Sequence, residues 1–117
     1  NEALRQNKFT LINFFASWCA PCRLEHKYLL KLANQDKNIK ILGINFKDEK
    51  KNALSFLNEL GNPYNFVAED SKGKASILFG IYGIPESILV DQDLIIIKKI
   101  IGPLDQKQFE EILELIQ

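Results

Sequence analysis

The stretch Trp18–Cys22, which reads Trp-Cys-Ala-Pro-Cys, holds the only tryptophan and the only two cysteines of the chain. The apolar run Phe9–Phe15 before it is typical of a buried central strand. The pattern from Ala20 to about Asp36 is helical, and Pro21 falls in the first turn, where a missing N–H breaks no hydrogen bond. The two thiols are therefore predicted to lie at a junction between a strand and a helix.

A cysteine at the start of a helix lies where the helix amides favour a negative charge. Cys19 is predicted at the N-cap and Cys22 in the first turn, with the helix N–H groups pointing at the Cys19 sulfur. We expect Cys19 to be the more exposed thiol and its pKa to fall from about 8.5 toward roughly 7. Cys19 would attack a substrate disulfide and the more buried Cys22 would resolve the mixed disulfide. This pattern indicates thiol–disulfide exchange.

The cysteine pair has two other interpretations. A zinc half-site would use Cys19, Cys22 and His26, but the chain has no second cysteine pair to complete a tetrahedral site. An inert pair in a turn is disfavoured by the preceding strand, the following helix and Trp18. A disulfide that closes so short a loop would add little stability, which again favours chemistry. His26 is predicted to be an ordinary helix-face residue.

The rest of the chain alternates strands and helices. Strands are predicted over Ile39–Phe46, Tyr64–Glu69, Glu86–Val90 and Leu94–Ile101, and helices over Glu49–Leu60 and from Asp105 to Ile116, with one or two helical turns within Lys74–Tyr82. Asp48 is expected to cap the second helix, and Asp105 and Gln108 are expected to form a capping box at the last one. The residues of the second helix expected to face the core are Ala53, Leu54, Leu57 and Leu60.

These elements predict an α/β fold with a mixed central sheet and helices on both faces. A right-handed crossover makes the first two strands parallel neighbours, and the later hairpin then pairs with the first strand. Leu94–Ile101 is expected to be an outer strand, where Lys98 and Lys99 discourage edge-to-edge pairing.

Composition narrows the function classes. The 117 residues suffice for one domain, 1–117. The 15 basic and 15 acidic residues give no net charge, so the charge balance does not indicate nucleic-acid binding. No apolar run is long enough to span a membrane. Because the chain contains no methionine, we expect residue 1 not to be the natural start and an N-terminal signal or anchor to be absent from this chain.

Three further residues each have two readings. Pro85 is either a trans residue at a strand start or a cis-proline facing the dithiol, which would leave the backbone of Ile84 free to pair with a substrate peptide. Glu25 is either a favourable acid early in a helix or a base near Cys22. Glu86 is either a solvated strand-end residue or a partner in the same proton transfer.

The dithiol after an apolar strand, with a later proline at a strand start, resembles the thioredoxin superfamily from Phe9 to Ile116. Four motifs narrow the resemblance to the DsbE or CcmG proteins of cytochrome c maturation: Cys22–His26, Gly43–Asp48, Gly61–Tyr64 and Tyr82–Glu86. It implies the thioredoxin fold and a periplasmic reductant tethered to the inner membrane. Its partners would be apocytochrome c, or another maturation protein, and a membrane thiol reductase that recharges it.

The resemblance also assigns site residues. It implies Cys19 as nucleophile, Cys22 as resolving thiol and Pro85 as the cis-proline, and Glu25 and Glu86 match the acidic residues of the family's active site. Trp18 and Ile84 are expected on the substrate-binding surface. Two residues depart from the pattern. Asn13 replaces the buried aspartate of general thioredoxins, so Glu25 or a water would have to serve as base, and Phe46 stands where the family often has tyrosine.

The resulting hypothesis is a specific reductant that needs no cofactor or metal beyond the Cys19–Cys22 redox pair. It would reduce the Cys-x-x-Cys-His site of apocytochrome c. Two alternatives stay open. One is a general thioredoxin-like disulfide reductase with other substrates, and the other is a non-catalytic binding module on a thioredoxin scaffold.

Overall fold

A computed structural model describes residues 8–35 and 38–117 and arranges them in five strands and four helices. In chain order the elements are β1 (Phe9–Phe15), α1 (Ala20–Gln35), β2 (Ile39–Phe46), α2 (Lys50–Leu60), β3 (Phe66–Asp70), α3 (Lys74–Leu78), β4 (Glu86–Asp91), β5 (Ile96–Ile101) and α4 (Gln106–Ile116). The helix end predicted at about Asp36 lies outside the described residues. Among the described helices, none combines the length and apolar character needed to cross a bilayer.

The five strands form one mixed sheet in the order β3-β2-β1-β4-β5. β1 lies at the centre, parallel to β2 and antiparallel to β4, with Asn13 opposite Gly43 on one side and Ser87 on the other. β2 and β3 are parallel, and β4 and β5 form the antiparallel hairpin at the far edge. The predicted α/β fold class, the crossover and the pairing of the hairpin with the first strand are confirmed.

The two faces of the sheet are covered unequally. Leu11 and Phe15 of β1 belong to the larger apolar cluster, which also contains the buried apolar side chains of α1, α2 and α4. Phe14 points to the opposite face and packs with Ile81 and two residues of β4. The ring of Phe79, at the C-terminal end of α3, lies 6.0 Å from that of Phe14. Three helices therefore cover one face, and α3 with the turn behind it covers the other.

The start of α2 differs from the prediction. Its N-cap residue is Glu49, which makes no side-chain capping bond. Asp48 does not cap this helix, because its carboxylate accepts hydrogen bonds from the backbone N–H groups of Ser17 and Glu49 instead. The prediction for Leu54 is also wrong: its side chain is 54% exposed, and Phe56 is buried in its place. The inward face follows the spacing from Ala53 through Phe56.

The strand boundaries also differ by a few residues. β5 begins at Ile96 because Leu94 has a positive φ of 64° in the hairpin turn, where the Asp91 carboxylate accepts from the N–H groups of Asp93 and Ile95. β3 begins at Phe66, since the Tyr64 side chain turns into the protein interior.

The cap of α4 is confirmed in part. Asp105 accepts a hydrogen bond from the N–H of Gln108 at 2.9 Å, as the first half of a capping box requires. The reciprocal half is missing, because the Gln108 side-chain oxygen is buried without a hydrogen-bond partner. Phe109, Ile112 and Ile116 form the buried stripe of this helix.

Candidate active site

A disulfide joins Cys19 and Cys22 at the N-terminal end of α1. The Cys22 N–H donates to the Cys19 sulfur at 3.3 Å, and the Cys19 carbonyl accepts from the Arg23 N–H, so Cys19 occupies the N-cap. The positive end of the helix dipole thus lies at this sulfur, which stabilises negative charge there when the bond is reduced. The predicted position of the dithiol is confirmed.

Exposure hardly separates the two sulfurs. Cys19 is 3% exposed and Cys22 is 1% exposed, and both belong to the larger apolar cluster. The predicted order holds, and both sulfurs are buried. Position distinguishes the two cysteines. The Cys19 sulfur accepts a hydrogen bond from the Cys22 N–H, and Cys22 lies inside the first helical turn.

Trp18 lies beside the dithiol and is 58% exposed. Its indole N–H donates to the Lys47 carbonyl at 3.0 Å, and the neighbouring Ser17 N–H donates to the Asp48 carboxylate at 2.9 Å. These two bonds attach the loop before α1 to the loop after β2. The ring is therefore held in place while more than half of it stays open to a partner.

The peptide bond between Ile84 and Pro85 is cis. The ladder of β4 begins at Glu86, so Ile84 lies before the paired stretch, while the Pro85 carbonyl accepts from the Gly102 N–H at 3.0 Å. Ile84 is half-buried and packs against the apolar cluster that contains both cysteines. The cis-proline segment is thereby brought to the same end of the sheet as the disulfide.

A shallow groove of about 440 Å³ runs along this segment. It is lined by Gly80, Tyr82, Gly83, Ile84, Pro85, Glu86, Lys99, Ile101 and Gly102. The side chains of Tyr82 and Ile101 are largely exposed, so the groove offers apolar surface next to the cis-proline.

Glu25 is completely buried, which contradicts its reading as an ordinary acid near a helix start. The face of α1 that carries it packs onto the sheet, where its carboxylate accepts from the Asn13 side-chain amide at 2.9 Å and the Leu104 N–H at 3.0 Å. Burial raises the pKa of Glu25 from 4.5 to about 7, against the lowering effect of these two donors. The carboxyl can therefore take up or release a proton near neutral pH.

Asn13 connects Glu25 to two further side chains. Its amide nitrogen also lies 3.0 Å from the Ser87 hydroxyl, and its amide oxygen accepts from the Tyr64 hydroxyl at 2.7 Å. Sequence reasoning singled out Asn13 but missed Tyr64, Ser87 and Leu104. The strand register would have found Ser87, which is paired with Asn13, but no local signal points to the other two.

Glu86 is also buried, so its reading as a solvated strand-end residue is wrong. Its carboxylate accepts from the Tyr82 N–H at 3.3 Å and lies 3.6 Å from the Lys99 ammonium group. Tyr82 and Lys99 line the groove and are not among the residues bonded to Asn13. Glu25 and Glu86 therefore lie in separate surroundings. In this oxidised form neither carboxylate bonds to a sulfur among the described residues, since a disulfide has no S–H to donate.

His26 lies on a buried face of α1. Its Nε2 atom lies 2.7 Å from the Gly61 carbonyl, and its ring packs edge-on against Phe56 with 4.9 Å between centroids. Burial lowers the pKa of His26. These contacts support a structural role, in which His26 joins α1 to the end of α2.

Comparison with known proteins extends this picture. The Redoxin family model matches residues 1–116. The thiol:disulfide interchange protein CycY of Rhizobium leguminosarum bv. viciae is 53% identical over 102 residues, which cover 87% of this chain and 54% of CycY. The thiol:disulfide interchange protein DsbE of Escherichia coli K12 is 41% identical over 110 residues, covering 94% of this chain and 58% of DsbE. The chain thus spans little more than half the length of these relatives.

Solved structures agree on the fold. A thiol:disulfide interchange protein of the thioredoxin family from Chlorobium tepidum superposes with a TM-score of 0.78 at 25% identity, covering 98% of this chain and 83% of that one. StoA from Bacillus subtilis gives a TM-score of 0.71 at 27% identity, covering 91% of this chain and 82% of StoA. The arrangement of strands and helices described above is therefore a thioredoxin fold.

Proposed function

Since this chain belongs to the redoxin family, and within the thioredoxin superfamily to the DsbE-like proteins, we propose that it is a thiol–disulfide oxidoreductase working through Cys19 and Cys22. The observation that carries the proposal is the position of Cys19 at the N-cap of α1, with the Cys22 amide directed at its sulfur. A thiolate formed there is stabilised by the helix, and a thiolate is the attacking species in disulfide exchange.

The reaction transfers two electrons from the reduced protein to its substrate. The Cys19 thiolate attacks one sulfur of a substrate disulfide, forms a mixed disulfide and releases the other substrate sulfur as a thiolate, which takes a proton from solvent. Cys22 then loses its proton and attacks the Cys19 sulfur. The Cys19–Cys22 disulfide forms, and the second substrate sulfur leaves and is protonated.

Glu25 is the proposed acceptor of the Cys22 proton. Asn13 cannot titrate, and Glu25 follows Cys22 by one helical turn on the same face of α1. Burial brings the pKa of Glu25 to about 7, which suits a group that must take up a proton and later return it near neutral pH. Trp18 is proposed to contact the substrate because its exposed indole precedes Cys19 directly. Ile84, Pro85 and Glu86 are proposed to contact it as well, because they line the groove at the same end of the sheet.

The proposed substrate is the oxidised Cys-x-x-Cys-His segment of apocytochrome c, directly or through another maturation protein. The proposal further includes a periplasmic location, an inner-membrane tether in the full-length protein, recharging by a membrane thiol reductase and no cofactor besides the dithiol. CycY and DsbE are named thiol:disulfide interchange proteins, and the likeness to them supports the exchange chemistry on which this specific role rests.

The decisive experiment traps the mixed disulfide. Cys22→Ser protein, reduced and then mixed with an oxidised Cys-x-x-Cys-His peptide, is expected to accumulate a stable adduct at Cys19, because the resolving thiol is missing. Intact-mass analysis and peptide mapping measure the adduct. Cys19→Ser is the matched control and is expected to form far less. Equal adducts from both variants, or none from Cys22→Ser, would contradict the proposal.

The same peptide tests specificity when it is offered to the wild-type protein. If the protein is a dedicated reductant, wild-type protein reduces the haem-site peptide faster than it reduces insulin. Faster turnover of insulin would instead favour a general disulfide reductase. An unshifted pKa of Cys19 in a thiolate absorbance titration would favour a non-catalytic binding module.

A further inference from the structure

The side-chain amide of Asn13 is held from three directions. Its NH₂ group donates to the Glu25 carboxylate at 2.9 Å and to the Ser87 hydroxyl at 3.0 Å, and its oxygen accepts from the Tyr64 hydroxyl at 2.7 Å. Asn13 itself is fully buried in the central strand β1. Every polar atom of this side chain therefore has a partner, and one orientation of the amide satisfies all of them.

Tyr64 is well placed to impose that orientation. Its ring stacks on Phe15 with 4.8 Å between centroids, and it lies so close over Gly43 that a Cβ there would come within 2.9 Å of the ring. The Tyr64 N–H donates to the Asn62 side chain at 2.9 Å, which fixes the turn that delivers the ring. The hydroxyl thus reaches Asn13 across β2 from a rigid position.

The orientation matters because the two ends of an amide favour opposite forms of a carboxyl group. An NH₂ group facing Glu25 donates to the carboxylate and stabilises it. A reversed amide would present its oxygen, which only a protonated carboxyl can bind by donating. Burial, and then the charge of Glu25, raise the pKa of Tyr64 above 10, so its hydroxyl stays protonated as a donor to the Asn13 oxygen.

We propose that Tyr64 is a positioning residue for Glu25: its hydroxyl holds the Asn13 amide so that the NH₂ group faces the carboxyl and supports its ionised form. The inference rests on the proposed function only for the fate of the proton that Glu25 accepts. In this role Tyr64 acts through Asn13 and not on a reacting sulfur.

Carboxyl ¹³C NMR of the oxidised protein tests the proposal directly. In Tyr64→Phe the Asn13 oxygen loses its donor, so the amide is free to turn its NH₂ group away from Glu25. We expect the pKa of Glu25 to rise by about one unit, because the carboxylate then loses its hydrogen bond from Asn13. Tyr28→Phe is the matched control. Tyr28 packs against Phe109 at the α1–α4 contact, and its loss of a hydroxyl is expected to leave the titration of Glu25 unchanged.

A second variant keeps the hydroxyl but moves it. Gly43→Ala places a methyl group against the Tyr64 ring, so the ring must shift and the pKa of Glu25 is expected to rise in this variant also. In either background, the pH profile of mixed-disulfide resolution by Cys22 is expected to move upward with the titration.

Reduced stability alone does not count as support, because any buried hydroxyl can stabilise a fold. A folded Tyr64→Phe or Gly43→Ala protein in which Glu25 titrates as in the wild type would overturn the proposal. The titration needs no substrate, so it succeeds or fails independently of the trapping experiment with Cys22→Ser.

Discussion

The surroundings of Glu25 illustrate how one buried carboxyl group acquires a titration near neutral pH. Two donors, the Asn13 amide and the Leu104 N–H, favour its charged form, while complete burial disfavours that form more strongly. A neutral amide beside the carboxyl leaves Glu25 as the titrating member of the pair. A second acid at position 13 would instead couple the two titrations.

The first residue-scale prediction concerns pH and stability. The folded protein binds the Glu25 proton more tightly than the unfolded chain does, because the pKa rises from 4.5 to about 7 on folding. The stability from this group is therefore fully present below pH 4.5 and is lost as the pH rises through 7. We expect the free energy of unfolding of the wild type, relative to Glu25→Gln, to fall by roughly 3 kcal/mol across this window.

Urea unfolding of the two oxidised proteins at several pH values measures this difference. Subtracting the variant removes the contribution of His26, whose lowered pKa makes stability rise with pH and so acts in the opposite direction. A difference that stays constant from acidic to neutral pH would show that Glu25 does not titrate as described.

Local sequence could not predict the state of either acid. The local pattern fits a helix-favouring Glu25 and a solvated Glu86 as well as it fits catalytic acids, yet both side chains are buried. Their partners explain why: Leu104 is 79 positions away from Glu25, and Lys99 belongs to a different strand from Glu86. Only the family resemblance pointed to these two positions. The cysteines, by contrast, can be identified from their spacing and from their position between a predicted strand and a predicted helix.

At the scale of elements, the starts of the helices are made in different ways. A sulfur caps α1, a carboxylate caps α4, and α2 begins at Glu49 without any side-chain cap. The Asp105 carboxylate accepts from the Gln108 N–H, which lies in the first turn and has no acceptor within the helix. Such a cap stabilises the folded protein by about 1 kcal/mol.

This contrast gives the element-scale prediction. Asp105→Ala is expected to lower the free energy of unfolding by about 1 kcal/mol, because the Gln108 N–H loses its acceptor. Glu49 occupies the corresponding position of α2, and Glu49→Ala is expected to change the free energy of unfolding by about a few tenths of a kcal/mol at most. Denaturant titrations of both variants make the comparison. Equal losses in the two proteins would mean that the Asp105 bond contributes nothing specific.

Hydrophobic periodicity predicted most elements within two residues. The errors occurred where a polar contact competes with the pattern. Asp48 is drawn away from α2 by the Ser17 N–H, and the Asp91 carboxylate organises a turn that removes Leu94 from β5. The inward assignment of Leu54 is wrong because Ala53, Phe56 and Leu57 form the buried face of α2, and Leu54 lies about 100° round the helix from Ala53.

At the scale of the whole molecule, the sheet ends in a strongly apolar edge. Ile96, Ile97 and Ile101 of β5 all have exposed side chains, and among the described strands none lies beyond β5. Lys98 and Lys99 interrupt this surface and form ion pairs with Glu111 at 2.9 Å and Glu86 at 3.6 Å. Charged residues on an edge strand oppose its pairing with another chain.

The molecular-scale prediction removes these charges. Lys98→Thr/Lys99→Thr keeps residues that suit a strand, and we expect concentration-dependent self-association that the wild type does not show. Lys98→Arg/Lys99→Arg preserves the charge and is expected to behave as the wild type. Sedimentation velocity over a concentration series distinguishes the two. A threonine variant that sediments like the arginine variant would assign the protection of this edge to another feature.

The overall topology was predictable because a few rules leave little choice. A parallel crossover followed by an antiparallel hairpin places the first strand in the middle, and the structure has that order. The unequal covering of the two faces was not predictable. It follows from the short length of α3, Lys74–Leu78, whose sequence was ambiguous between a turn and a helix.

The hydrogen bond from the Leu104 N–H to Glu25 has a practical consequence for anyone who modifies this domain. Leu104 lies just ahead of α4, so a fusion that pulls this last helix off the sheet also removes one of the two donors from the Glu25 carboxyl. An affinity tag or reporter at the carboxyl end therefore needs a spacer that lets α4 stay docked, although that helix lies far along the chain from the cysteines.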